Sequence, residues 1–341
     1  MKLGIIGLPR AGKSTLFDAL TKTIAGTEHK GEDRIAAIRV PDDRVDTLSR
    51  MFKPQKTIYA QVEYVLPGIK KDHISDPSRW TSIRDCDALL HVVRNHAAYG
   101  FEKPAPAEDF IRLDQELILS DLVVAEKRIE RIEADHKRGK KMDAEEHALL
   151  QECRQCLENE TPLRKKADLA LSPKLRGFTF LSAKPVLVLF NNEDDDDRLP
   201  NIKYLTDTGT CQVIRGKLEQ ELAQMDPEDA AEFLNEFKIP ASAMNRVIRQ
   251  SYQVLNLISF FTIISNEVRA WTLKKGTPAL EAAEVIHSDM KKGFIRAEVV
   301  SFKELTDAGS YAEAKKRGTV RLEGKIYEVQ DGDIIQFRFN V

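Results

Sequence analysis

Three stretches of the chain are apolar without alternation: residues 3–6, 88–93 and 185–190. Continuous apolar runs of this length mark strands covered on both faces. Residues 59–66 alternate through Tyr59, Val62, Tyr64 and Leu66 and predict a further strand, and residues 13–22 predict a helix. Together they predict an α/β fold, a doubly wound and mainly parallel sheet.

A segment of different composition interrupts those strands. Ile118, Leu122, Ala125, Ile129 and Ile132 are spaced 4, 3, 4, 3 on a stretch otherwise rich in Glu, Lys, Arg and Asp, which is a heptad seam. Leu149, Cys153 and Cys156 give a second, shorter seam. Between the two lies His136-Lys137-Arg138-Gly139-Lys140-Lys141, whose glycine and charge suit the turn of an antiparallel helical hairpin. Its basic tip is either simply solvated or a contact for RNA phosphate.

Beyond the last apolar run, Asp226-Pro227-Glu228-Asp229 predicts a helix start, with an N-cap followed by proline and acids in the first turn. Residues 241–257 also read as helix. From about Ser259 the pattern changes to strands at 260–264, 268–271, 294–302, 320–322 and 334–339, around one helix near 278–290, with a turn at Gln330-Asp331-Gly332-Asp333. The expected domains are residues 1–110 with 177–257, a helical insert at 111–176, and a small α+β module at 258–341.

The 341 residues carry a net charge of −2 although 31% are charged, so no bulk charge argues for a general polyanion binder. Neither DNA nor a membrane is an expected partner: no apolar run is long enough to span a bilayer, and the N-terminus opens on a strand rather than a leader. Cys86, Cys153, Cys156 and Cys211 are too few and too scattered for a disulfide framework. A cytoplasmic location is expected. The C-x-x-C pair at 153 and 156 falls on one helix face with no second pair to complete a zinc site, so it reads as seam. The acidic run at 194–197 reads as solvated loop rather than a metal site.

The sharpest chemical signal is Gly7-Leu8-Pro9-Arg10-Ala11-Gly12-Lys13-Ser14-Thr15, which spells G-x-x-x-x-G-K-[ST] between a strand and a helix. That arrangement wraps backbone N–H groups around a nucleotide phosphate. Lys13 offsets charge on the β- and γ-phosphates, and the Ser14 hydroxyl is placed for Mg²⁺.

Taken with Ser82-Ile83-Arg84, His91-Val92-Val93-Arg94, residues 257–261, Glu267-Val268-Arg269-Ala270-Trp271-Thr272, residues 292–297, and Asp331-Gly332-Asp333 with the ending Phe339-Asn340-Val341, the chain resembles the YchF branch of the Obg-related P-loop GTPases. The resemblance covers essentially the whole length. It implies a G domain, a coiled-coil insert and a C-terminal TGS domain of β-grasp type. It further implies hydrolysis of GTP or ATP with Mg²⁺, unusual tolerance for ATP, and association with the ribosome or its RNA. On the TGS-like domain the cations to test are Lys291, Lys292, Arg296, Lys315, Lys316 and Arg317.

Departures from the family pattern bear on the chemistry. Where the family carries Asp-x-x-Gly, this chain reads Glu63-Tyr64-Val65-Leu66-Pro67-Gly68-Ile69 and lacks the aspartate; Glu63 or Asp72 substitutes only if the loop brings one near Ser14. The first switch, residues 28–39, holds no threonine; it reads as a charged surface loop, with His29, Lys30 and Arg34 as cations for phosphate in the rival reading. In place of Asn-Lys-x-Asp the third apolar strand ends in Asn191-Asn192-Glu193-Asp194. Asn191 matches, Asn192 replaces the lysine, and either Glu193 or Asp194 faces the base. The other base contact is expected at residues 213–217, at Arg215 and Gly216. Two functions therefore stand: a slow Mg²⁺-dependent NTPase acting as a ribosome-associated regulator, and a nucleotide-binding docking module with little or no hydrolysis.

Overall fold

A computed structural model describes residues 1–23, 31–68, 80–97, 102–202, 205, 210–237, 239, 241–264 and 266–340. The chain begins β1 (Lys2–Ile6), α1 (Lys13–Thr21), β2 (Arg34–Arg39), α2 (Asp43–Phe52), β3 (Lys56–Ile58), β4 (Gln61–Leu66), α3 (Thr81–Arg84) and β5 (Ala88–Asn95). It continues with α4 (Pro106–Lys137), α5 (Ala144–Glu158), α6 (Ala167–Ala170), β6 (Val186–Asn192), β7 (Cys211–Ile214), α7 (Gly216–Gln224), α8 (Pro227–Glu236) and α9 (Ala243–Val254). The last part holds β8 (Leu257–Ile264), β9 (Glu267–Lys274), α10 (Ala279–Ile286), α11 (Ser288–Lys292), β10 (Phe294–Ser301), α12 (Phe302–Ala308), α13 (Tyr311–Lys316), β11 (Arg321–Glu323) and β12 (Asp333–Phe339).

Two compact units result, Met1–Ala36 with Glu63–Val247, and Ala37–Val62 with Ile248–Val341. This partition differs from the three-part division read from sequence in two respects. Residues 37–62 go with the C-terminal unit, and the helical insert forms no unit of its own.

The first sheet has strand order β2-β4-β1-β5-β6-β7. β1 runs parallel to both β4 and β5, β5 to β6, and β6 to β7. Because β1 is central and the chain winds outward to both sides, the order reverses beside it, and the carboxyl ends of β1, β5, β6 and β7 share one edge. Open α/β sheets bind ligands there. The apolar strands are covered on both faces: Leu3, Ile5, Leu89, Leu90, Leu187, Leu189 and Phe190 are fully buried.

The insert is a helical hairpin. Ile118, Ala125, Ile129 and Ile132 of α4 form one core with Leu150, Cys153 and Leu157 of α5, while Leu122, Leu149 and Cys156 flank it half-buried. The second seam thus lies one residue away from the predicted Leu149–Cys156 register at two of its three positions. Arg128 grips Glu146 across the hairpin at 2.8 Å. Helix α4 starts at Pro106, ahead of the expected boundary at 111. Its first turns belong to the α/β core, with Phe110 packed beside Val93 and Phe190, and Leu113 and Leu117 beside Ile6 and Leu89. Asp121, fully buried further along α4, accepts hydrogen bonds from the Leu181 and Ser182 N–H groups at 3.0 and 2.6 Å and pairs with Arg84 at 3.0 Å.

Residues 34–39, expected as loop, form strand β2 with alternating exposure, so the surface-loop reading of the first switch fails over this stretch. His29, Lys30, Ile69 and Asp72 lie outside the described residues.

The second unit is built on a mixed sheet of order β11-β10-β12-β8-β9-β3. β10 is antiparallel to β11 and β12, β12 parallel to β8, β8 antiparallel to β9, and β3 parallel to β9. On α10, Ala279, Ala282 and Ala283 share one face, and small side chains there admit close packing on Phe260, Leu273 and Val299. Helices α12 and α13 were not anticipated. Each begins with a serine cap, Ser301 in a full capping box with Glu304 and Ser310 accepting from the Glu313 N–H. Arg44 of α2 ties residues 37–62 into this unit, donating to Asp42 and, at 2.8 Å, to Asp331, with its guanidinium 5.1 Å above the Phe261 ring.

Candidate functional site

Residues 7–15 link β1 to α1 through an unusual backbone. Arg10 has φ 64° and Gly12 φ 95°, so the chain turns back on itself before the helix starts. Gly12 occupies the N-cap position of α1 and supplies no side chain to the helix, and the first turn holds no acid. The first N–H groups of α1 are thus left for an external anion, where the helix dipole also favours negative charge. Lys13 folds back over this loop and donates to the Gly7 and Leu8 carbonyls, both at 2.8 Å. Burial pushes its ammonium down to about 8. A cation held in a loop of carbonyls and short of solvent is prepared to take a phosphate oxygen in exchange.

A cavity of about 470 Å³ opens on this helix end, lined by Arg10, Gly12, Lys13, Ser14, Thr15, His96, Ala97, Asn191, Asn192, Glu193, Asp194 and Lys217. Its walls come from the loops after β1, β5, β6 and β7, at the sheet edge singled out above. Pro9 is exposed on the loop, and Ala11 is buried beneath it.

Asn191 organises the far end. Its Nδ2 donates to the Ala11 carbonyl at 3.0 Å and its Oδ1 accepts from the Gly216 N–H at 2.8 Å, joining the phosphate loop to the start of α7. Gly216 therefore supports the site from behind. Arg215 points its guanidinium to the Asp194 carbonyl at 3.4 Å.

The Asn192 side chain is almost wholly buried and held by Asn95 and by the Arg198 carbonyl, at 2.8 and 2.9 Å. It does not replace the apolar stem that a lysine lays over a base. Both neighbouring carboxylates reach the cavity, each with one oxygen engaged. Glu193 accepts from the Ala97 N–H at 2.6 Å and Asp194 from the Leu218 N–H at 3.3 Å.

Sequence reasoning missed His96 and Ala97. No motif marks them; their signal is position, directly after β5 at the carboxyl edge of a parallel sheet. His96 places Nδ1 3.0 Å from the Asn191 carbonyl oxygen, so the ring is fixed at the cavity wall. His91, by contrast, is buried within β5 and stacked on Phe110 at 5.1 Å. Burial, helped by Arg164 and Lys13, depresses it to about 3, so it stays neutral and structural.

Arg34 does not serve the phosphate loop. Asp18 holds it at 2.6 Å and its guanidinium lies 4.4 Å above the Phe17 ring. In the second unit, Lys291 pairs with Glu284, Lys292 with Asp289 at 3.4 Å, Arg317 with Glu313 at 3.3 Å and Lys315 with Glu298 at 4.0 Å. Arg296 lies on β10 and Lys316 closes α13.

The uncapped helix end, Lys13 and the cavity fit a nucleotide. For Mg²⁺ the fit is through Ser14, whose residue is exposed on the first turn of α1; among the described residues no group of three or more His, Cys, Asp or Glu is gathered as a cage. A magnesium ion that keeps most of its shell as water and phosphate oxygen needs no such cage.

The glycine-rich turn, uncapped helix and parallel sheet define a P-loop nucleotide-binding protein of the GTPase fold. A family model described as "50S ribosome-binding GTPase" matches residues 2–128, and the YchF-GTPase_C model, described as a protein of unknown function (DUF933), matches residues 257–340. The chain is 36% identical to "Ribosome-binding ATPase YchF" of Bacillus subtilis over 99% of both chains. It is 37% identical to the protein of that name from Escherichia coli O157:H7, over 100% of this chain and 99% of that one. The solved structure of the Schizosaccharomyces pombe YchF GTPase superposes with a TM-score of 0.83 at 27% identity, covering 99% of this chain and 97% of that one. The chain belongs to the YchF family.

Proposed function

We propose that this protein binds a nucleoside triphosphate, hydrolyses it slowly with Mg²⁺, and couples the bound state to the ribosome in the cytoplasm. The observation that carries the reading is the uncapped N-terminus of α1 with Lys13 held over it, at the edge where four strands end. Ribosome association follows the names of the relatives, "Ribosome-binding ATPase YchF". The C-terminal unit and the helical hairpin are the surfaces through which we expect ribosomal RNA or protein to be met, and neither DNA nor a membrane is part of the reading.

In the reaction water attacks the terminal phosphorus, the bond to the bridging oxygen breaks, and the diphosphate leaves with inorganic phosphate and a proton. The N–H groups of residues 10–14 bind the phosphates, Lys13 stabilises charge gathering on the transferred group and on the leaving oxygen, and Ser14 would hold Mg²⁺. When bound, the ion neutralises phosphate charge. At the base end, Glu193 and Asp194 each keep one carboxylate oxygen for a base N–H donor, whereas Asn192 offers no covering stem. Weak choice between adenine and guanine is expected.

The second reading, a docking module without turnover, draws on the order Val65-Leu66-Pro67-Gly68, which lacks the acid that ordinarily positions the metal. Calorimetric titration of nucleotide-free protein with ATP and GTP analogues, with and without Mg²⁺, paired with phosphate release by wild type and Lys13→Ala, separates the two. Mg²⁺-dependent binding with phosphate release above the variant supports the NTPase; binding with release no greater than the variant supports the docking module. Failure to bind either nucleotide rejects both. Ribosome co-sedimentation with charge reversal at Lys291, Lys292, Arg296, Lys315, Lys316 and Arg317 tests the docking surface.

A further inference from the structure

The turn inside the phosphate loop carries a residue that its shape disfavours. The Ala11 N–H reaches back to the Leu8 carbonyl at 3.3 Å, which closes a four-residue turn with Pro9 and Arg10 at its centre. Proline fixes a negative φ at the first central position, and Arg10 holds φ 64° at the second. That pair is the type II pattern, whose second central position calls for glycine or asparagine because a larger side chain is strained there. The other described non-glycine residues with positive φ, Lys22, Lys53, Glu160, Thr179 and Asn256, all come just after a helical segment, where a left-handed residue is an ordinary way to end one. Arg10 comes before one, so helix termination does not account for it. What the strained position does is put a long cation on the cavity wall: Arg10 is exposed and lines the cavity beside Gly12, Lys13 and Ser14. The other lining lysines and arginines stand differently. Lys13 is drawn down onto the Gly7 and Leu8 carbonyls, and Lys217 lies on α7 within 3.9 Å of Glu221.

We propose that Arg10 is a catalytic residue, its guanidinium donating to the terminal phosphate and to the bridging oxygen of a bound nucleoside triphosphate as that oxygen leaves. The inference rests on the hydrolytic reading above. The water oxygen bonds to the terminal phosphorus, the bond from phosphorus to the bridging oxygen breaks with its electron pair going to the diphosphate, and the water proton passes to solvent. Charge gathers on the bridging oxygen during this step. A planar guanidinium with five N–H donors meets that oxygen and a terminal one together, and arginine supplied by the same chain is a recurring device of phosphoryl transfer. Strained residues persist where the site uses them, which gives the left-handed backbone of Arg10 its reason.

The test measures phosphate release, thermal unfolding and calorimetric affinity for a non-hydrolysable triphosphate analogue in wild type, Arg10→Gly, Arg10→Lys and Lys13→Ala. Glycine suits the turn better than arginine, so Arg10→Gly unfolds at a temperature no lower than wild type. Its phosphate release nevertheless falls about a hundredfold, the order expected when one donor to the transition state is lost. Affinity for the analogue falls by less, since the contact tightens only as charge moves onto the bridging oxygen. Arg10→Lys keeps the charge without the fork and recovers part of the rate. Guanidinium ion, added well below denaturing concentration, restores release in Arg10→Gly and leaves Lys13→Ala unchanged. A rate that falls only in step with stability and affinity, with no rescue by guanidinium, overturns the assignment. So does release by Arg10→Gly equal to that of wild type when wild type exceeds Lys13→Ala, and this result leaves the hydrolytic reading standing. Wild type no faster than Lys13→Ala fails that reading itself, and the catalytic role of Arg10 with it.

Discussion

A β-carbon at position 12 would stand 2.2 Å from the amide nitrogen of Asn191. Gly12 and Asn191 are thus fitted to each other across 179 residues of sequence, and Gly12 also holds φ 95°, which costs a residue with a side chain about 1–2 kcal/mol. Gly12→Ala pushes Asn191 off the Ala11 carbonyl and loosens the loop at both ends. Nucleotide affinity measured by calorimetry falls by tenfold or more. An affinity within twofold of wild type would show that the fit is slack.

Lys13 gives the site a pH dependence of definite sign. With its ammonium depressed to about 8, the free protein loses that charge as pH rises through 8, and phosphate loses its cation. Nucleotide affinity should therefore drop between about pH 7.5 and 9.5 in wild type, whereas Lys13→Met binds weakly with no such slope. Stability moves the other way: between about 8 and the ordinary lysine value the unfolded chain binds the extra proton, so the free wild-type protein gains stability with rising pH relative to Lys13→Met. Thermal unfolding across this range, run beside the titrations, checks both signs.

Asp121 carries three bonds from a fully buried position, two of them to backbone N–H groups that lead into β6. Asp121→Ala strands those donors and leaves Arg84 without its carboxylate. A loss of about 3 kcal/mol or more in urea unfolding is expected.

Arg44 is one polar tie between residues 37–62 and the rest of the C-terminal unit, beside the Asp43–Arg249 pair and the β3–β9 ladder. Burial works against its charge, but Asp42 and Asp331 together hold the guanidinium above its usual value. Because the Asp331 side chain is half exposed, the cost of Arg44→Ala is modest, about 1–2 kcal/mol. Hydrogen exchange should report it as faster exchange over 43–52 and at the Ser259 N–H, which shares Asp331.

The readable parts of the sequence were those whose signal is local. The phosphate loop, the apolar strands and the Ile118–Ile132 seam announce themselves by motif, run or period. The Ser301 and Ser310 caps carried an equally local S-x-x-E signal at two helix starts that the strand and turn pattern around them obscured. Strand β3 is another matter. Three residues long, it becomes a strand only through pairing Lys56 with Glu267 more than two hundred positions away, and no window of sequence contains both partners. His96 was hidden for the same reason, its importance arising from where β5 ends rather than from what surrounds it. Arg34 looked available to phosphate because Asp18, which holds it, lies sixteen residues back on a helix.

The passage of residues 37–62 into the C-terminal unit means that the protein has no single point at which it can be cut into working halves. Ending the chain at 247 would take away β9, leaving β3 with no strand to pair, and strip α2 of the Asp331 tie. A fragment retaining only the nucleotide site would have to bridge β2 to β4 by a short artificial turn and discard everything between. A chain begun at residue 248 would in turn leave β9 with the open edge that β3 covers in the whole protein.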